Sequence, residues 1–224
     1  MKIVYKVLNS ITVLAAIPVL IFLPMFRFIM SIGVSSNNQI LSLLGSLFDV
    51  SAIIQKATGV DFNSLPEFYT IKEAYDTLLG DSSIVSTAGL DTSALPEEVT
   101  KYFSAAAILF AVALLFAVVV LIIGLVTKKN LICSAFAAGG MLSLFAANKC
   151  FTHIASQLVS GKISLMSMIE NMEALSSYSK YLDYIDVDIR IFELSSAYTM
   201  LMLIFGAMIA LNIVFHLVDP TSTR

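Results

Sequence analysis

Tryptophan is absent from this sequence, cysteine and histidine occur twice each, and charged residues fill only 13% of its 224 positions. Each shortage excludes something. Soluble domains carry about 25% charged and about 45–50% apolar residues. Here 58% are hydrophobic and the mean hydropathy is +0.90, so one integral membrane domain is expected over 1–224. Cys133 and Cys150 lie seventeen residues apart on one predicted helix. That is about 25 Å at 1.5 Å per residue, too far for a disulfide within a straight helix. No Asn-x-Ser/Thr sequon occurs. An exterior without disulfides or glycosylation sites points to a bacterial plasma membrane. With two histidines expected near opposite membrane faces, no metal site built on histidine is expected.

Catalytic signatures are missing as well. The sequence holds no His-Glu-x-x-His, Gly-x-Ser-x-Gly, Walker or dinucleotide-binding pattern, and each of those chemistries needs its residues at fixed spacing. No catalytic residue, cofactor or nucleic-acid partner is expected, and the chain reads as a non-enzyme.

What is present is length and apolarity. Four stretches are long enough to cross a bilayer, which takes about 20 residues. They cover about 7–30, 104–126, 131–149 and 194–218. The first competes with a signal peptide, since "MKIVYK" is basic and "SIG" at Ser31–Gly33 resembles a cleavage site. Its apolar run exceeds a usual h-region, and Pro18, Pro24 and Arg27 fall inside it, so an uncleaved span is expected.

Charge gives the direction. Lys2, Lys6, Lys128, Lys129 and Arg224 sit in the short N-terminus, the "TKKN" turn and the C-terminus. The long segments 33–100 and 159–193 hold only Lys56, Lys72, Lys162, Lys180 and Arg190. The positive-inside rule then places both termini in the cytoplasm. Fifteen of the sixteen acids fall in the two outer segments.

Those outer segments are patterned. "ILSLLGSLFDVSAIIQKA" reads as an amphipathic helix. "SLPEFYTIKEAYDTLLG" reads as a second, with Ser64 and Glu67 at capping-box spacing. "ISLMSMIENMEAL" reads as a third. In "IDVDIRI", apolar and charged residues alternate, which suggests a short strand or extended segment at 184–192, with "SIVST" (Ser83–Thr87) as the candidate partner. The expected fold is an all-α integral membrane protein, a four-transmembrane-helix bundle with a mostly helical extracytoplasmic cap.

Small residues mark packing faces. Ala135, Gly139, Ser143 and Ala147 follow at i+4 steps on the third span, and Gly206 and Ala210 repeat the spacing on the fourth. Such stripes let helix backbones approach closely. Ala106, Ala113, Ala117 and Gly124 form a near-heptad on the second span, and Pro18 and Pro24 are expected to kink the first.

Polar candidates are few. Arg27 either lines a pathway, pairs with an acid or snorkels to the headgroups, and snorkelling is the expectation. Lys149, His153 and Gln157 share a helix face where the third helix leaves the bilayer. The first two are expected to dock outer acids such as Glu170 or Glu173. Asn212 and His216 share a face near the inner end of the fourth span. They are expected to be an interfacial pair or to bond the "TKKN" turn, rather than a proton relay. Asp183, Asp186 and Asp188 lack calcium-loop spacing and read as a solvated acidic face.

Four spans with a long first outer loop resemble, in topology, the tetraspan families, claudins among them. The Trp and paired outer Cys of claudins are missing, as is the Cys-Cys-Gly of tetraspanins, so no residue role carries over. Two functions remain. One is a non-enzymatic accessory, scaffold or complex subunit that contacts a membrane-protein partner or its own copies within the lipid bilayer. The other is a small transporter or channel subunit with polar vestibules at both faces.

Overall fold

A computed structural model describes residues 2–34, 52, 55–56, 67–78, 97–127, 129–159 and 185–218. Its described part is mostly helical. Four of its helices are long and apolar enough to cross a membrane: α1 (Lys2–Phe22), α3 (Glu97–Val126), α4 (Asn130–Val159) and α5 (Ser196–Val218). Helix α2 (Ile71–Leu78) is short, and β1 (Phe26–Val34), β2 (Phe68–Tyr69) and β3 (Ile185–Leu194) form one sheet.

The described chain falls into two compact units. The first holds Met1–Met25, Phe103–Phe151 and Leu194–Arg224, and so α1, α5 and most of α3 and α4. Its inward positions recur every three or four residues. On α3 they are Phe103, Ala106, Phe110, Ala113, Ala117, Val120 and Gly124. On α5 they are Ala197, Leu201, Phe205, Met208 and Asn212. On α3 the steps alternate strictly between three and four, the 3.5-residue period of left-handed helix packing. The opposite faces expose Leu14, Ile108, Leu115, Leu142 and Leu203. Exposed leucine and isoleucine on every helix suit a lipid surround.

Glycine makes two of the tightest contacts. A Cβ on Gly139 would lie 3.1 Å from the Phe116 ring, and one on Gly140 would run into the Phe205 ring. This adjacent pair lets α4 receive an aromatic from each of two neighbouring helices.

The helix ends follow local chemistry. Leu23 N–H bonds Val19 O at 3.3 Å, closing α1. Pro24 then lacks an N–H and disfavours a helical Leu23, so the helix cannot continue. The apolar stretch expected to span 7–30 is therefore helical only to Phe22. Pro24 ends that helix rather than kinking it, while Pro18 lies inside it. At α5, the Ser195 hydroxyl accepts from Ala197 N–H at 3.2 Å and caps the helix. Ser195 also bonds back to the end of the first stretch, its N–H to Met25 O at 2.8 Å and its hydroxyl to Pro24 O.

The second unit comprises Phe26–Tyr102 and Thr152–Glu193. Its sheet runs β2-β1-β3, with β1 antiparallel to β2 and Phe26 opposite Tyr69. The described residues are mostly helical, as expected, and the sheet adds two strands to the short one anticipated at 184–192. The alternating segment is a strand, but its neighbour is β1, which the sequence had assigned to the first span. "SIG" lies inside that strand. Residues 83–87, the expected partner, fall outside the described residues, as do most of "ILSLLGSLFDVSAIIQKA" and all of "ISLMSMIENMEAL". Helix α2 also begins later than its motif implied. Thr70 and Glu73 form its capping box, with Phe68 and Tyr69 taken by the sheet, and Ser64 lies outside the described residues. Tyr69 and Ala74 are buried, and burial together with the Glu73 charge pushes the Tyr69 phenol above its ordinary pKa.

Candidate functional site

The densest buried polar chemistry in the first unit joins its first and last helices. Tyr5 and Asn9 lie one turn apart on α1, facing Asn212 on α5. The Tyr5 hydroxyl donates to Asn212 Oδ1 at 2.6 Å. The Asn212 amide nitrogen donates to Asn9 Oδ1 at 3.1 Å and to Met208 O at 2.6 Å. Asn9 and Asn212 are both buried, where an unpaired amide would be costly.

Neighbouring helices close around them. A Cβ on Gly124 would collide with the Asn9 amide nitrogen, so only glycine leaves room for that side chain. The Cys133 thiol points to Val120 O on α3 at 4.0 Å, and Phe215 meets the Tyr5 ring edge-on at 5.1 Å. Lys6, next to Tyr5, donates from Nζ to Leu125 O at 2.6 Å, answering an end carbonyl of α3. At the start of α4, Asn130 is buried and its Oδ1 has no hydrogen-bond partner.

Chemically this cluster is a latch between α1 and α5. It consists of two amides and a phenol. Its amide and phenol groups are engaged with each other rather than with an open cleft. Among the described residues, no three His, Cys, Asp or Glu side chains converge as a metal site would need.

A second grouping lies on the sheet of the other unit. Arg27 on β1 pairs through Nε with Glu67 and through Nη1 with Glu193 at 3.5 Å. Its guanidinium also lies 5.6 Å from the Phe68 ring centre. The hydrogen bond to Glu67 raises the Arg27 pKa. Arg27 thus occupies a strand and has acidic partners, as the pairing alternative anticipated. In the same unit, Tyr102 and His153 stack with ring centres 4.4 Å apart, which ties α4 to the first turns of α3.

The other expected residues separate. Lys149 is exposed over the Phe145 ring at 5.4 Å, while Glu170 and Glu173 lie outside the described residues. Gln157 and His216 are half-buried. Asn212 is buried, and its side-chain partners on another helix are Tyr5 and Asn9 of α1. Of the small-residue stripe, Ser143 and Ala147 are buried, and Ser143 bonds Gly139 O at 3.0 Å. Ala135 and Ala210 are exposed, and nothing lies within 4 Å of a Cβ on Gly206. Four-residue steps drift around a helix whose inward face repeats every 3.5. Asp186 and Asp188 fall in β3, and Asp183 lies outside the described residues.

Sequence reasoning missed Tyr5, Asn9, Asn130 and Cys133. A signal for the first two existed. Asn9 is an amide inside an apolar stretch, four residues from a tyrosine, and intramembrane polar residues seek partners on other helices. Compared with protein-family models, curated proteins and solved structures, the chain matches none.

Proposed function

We propose that this chain is a non-enzymatic, multi-pass protein of a bacterial plasma membrane that acts through contacts with other membrane proteins. It serves as an accessory, scaffold or complex subunit. Both termini face the cytoplasm, and the segments bearing the sheet and most acids face outward, as the distribution of lysine and arginine implies.

One observation carries the reading. The bundle interior is filled by apolar side chains. Val13, Ala16, Ala113, Ala117, Leu144, Leu201 and Phe205 have no exposure at all. A conduction or transport path needs polar groups or a broken helix at the membrane midplane. Here the buried positions midway along the helices are mostly Ala, Leu, Val and Phe, Ser143 bonds its own helix, and the buried amides bond each other. The outward faces remain large, apolar and free to meet lipid or another protein.

Purification of the native protein in a mild detergent tests this. A defined second protein, or a discrete homo-oligomer, should co-elute at fixed stoichiometry. Monomer alone, across several detergents, would count against it.

The second reading, a transporter or channel subunit, draws on the buried Asn9–Asn212 pair, which offers polar groups below one end of the bundle. It predicts solute flux in proteoliposomes that Asn212→Leu abolishes. The closed interior favours no flux.

A further inference from the structure

The charge at one end of the bundle is arranged more closely than the sequence implies. Lys6 and the α3–α4 turn are separated by about 120 positions, yet Lys6 Nζ donates to Leu125 O at 2.6 Å. An ammonium has three donors, so Lys6 can hold the α3 terminus and still offer N–H groups outward. The turn beside it is fixed. The Thr127 hydroxyl donates to Ile123 O at 2.9 Å and accepts from Lys129 N–H at 3.4 Å. Lys129 itself is exposed. Among the described residues of these helices, no acid lies at this end. The described residues of α1, α4 and α5 include none, and the two on α3, Glu97 and Glu98, lie in its first turn, at the far end. Around the lysines the surface is apolar, with Leu125 and Leu131 each 49% exposed.

Two lysines brought to one end of α3, one by its hydrogen bond to Leu125 O and one by the turn that follows, and bordered by exposed leucine, match an anionic phospholipid. Its phosphate meets ammonium groups and its acyl chains meet leucine. A soluble phosphate would use only the first feature. We propose that Lys6 and Lys129 form a binding site for the headgroup of an anionic phospholipid at this end of the bundle. The site rests on the membrane-spanning reading but not on the choice between scaffold and transporter.

The test uses the full chain in a neutral maltoside detergent. Phosphatidylglycerol and phosphatidylcholine are titrated and bound lipid is counted by native mass spectrometry. Each lysine near an anionic headgroup contributes about 5-fold in affinity, so wild type should favour phosphatidylglycerol by about 25-fold at low salt. Lys129→Gln should cut this about 5-fold, and Lys6→Gln with Lys129→Gln should bring the two lipids within about 2-fold. The double Lys→Arg variant should keep the preference, as should Lys101→Gln at the opposite end of α3. If the double Gln variant does not fold, the Lys129→Gln result decides. Equal binding of both lipids by wild type, or a preference that survives Lys129→Gln, would overturn the site. Carbonate washing of native membranes separates the two levels. Protein that washes out defeats the membrane reading and the site together, whereas retained protein without lipid preference defeats the site alone.

Discussion

The Tyr5 hydroxyl donates to Asn212 Oδ1 across 207 positions of sequence, tying the first helix of the chain to the last. Asn212 then reaches Asn9 on the same helix as Tyr5, so one amide serves two partners. Removing it leaves both without that contact. Interhelical hydrogen bonds in membranes contribute about 0.6 kcal/mol on average and up to about 1.7, and orphaned buried groups add to the cost. Asn212→Leu should therefore destabilise the bundle by about 1–3 kcal/mol in a detergent unfolding titration. Tyr5→Phe should cost less, and the double variant should be less destabilised than the sum, since the two share a bond. Strict additivity would mean that the bond contributes nothing.

Gly124 and Gly206 should behave oppositely. A methyl at Gly124 collides with the Asn9 amide, whereas one at Gly206 meets nothing within 4 Å. Gly124→Ala should cost about 1–3 kcal/mol through overpacking. Gly206→Ala should be neutral or stabilising by up to about 1 kcal/mol through helix propensity. The same unfolding titration checks both, and equal effects would contradict the packing described.

How much of this was legible in sequence depends on the element. The α3 stripe could be read, because Ala106, Ala113 and Ala117 stand out as small residues in a uniformly apolar helix. Strand β1 could not. In "FRFIMSIGV" apolar residues occupy both faces, which hides the period of two, and the run is continuous with α1. Only Pro24 marks the break. The charged alternation in "IDVDIRI" made β3 visible, yet strand partners are chosen over long range, and β3's neighbour lay 150 residues away in a stretch read as membrane. Asn212 was noticed and its partner was not. Pairing it with Asn9 requires knowing that α1 and α5 are neighbours, which one sequence does not encode locally.

Acid should loosen α2 through Glu73. Its carboxylate accepts Thr70 N–H at 2.9 Å, and its own N–H donates to the Thr70 hydroxyl at 3.2 Å. The bond from the Thr70 backbone holds the Glu73 pKa below the usual carboxylate range. A depressed folded-state pKa gives stability that is present above the unfolded-state value and lost as pH falls through the folded one. Hydrogen exchange over residues 71–78, corrected for intrinsic rates, should accelerate as pH drops from neutral to below the carboxylate range. Glu73→Gln keeps an acceptor without the charge, so its exchange should depend far less on pH. A wild-type segment insensitive to acid would contradict the capping assignment.

Arg27 should matter to the sheet in a salt-dependent way. It bridges Glu67 and Glu193 while more than a third of its side chain stays exposed at 34%, and pairs this accessible are screened. Arg27→Gln should raise protease cleavage near residues 67–69 at low salt, and the difference from wild type should shrink at high salt. A salt-independent difference would assign the role of Arg27 to its packing on Phe68 instead.

In the proposed function, the outward helix faces meet another protein. Site-specific photo-crosslinking in native membranes reads this most directly, with the crosslinker placed in turn at the exposed positions Leu14, Ile108, Leu142 and Leu203. A discrete protein adduct, the partner or a second copy, is expected from at least one helix face and not from all four. Lipid adducts alone at every position would contradict it.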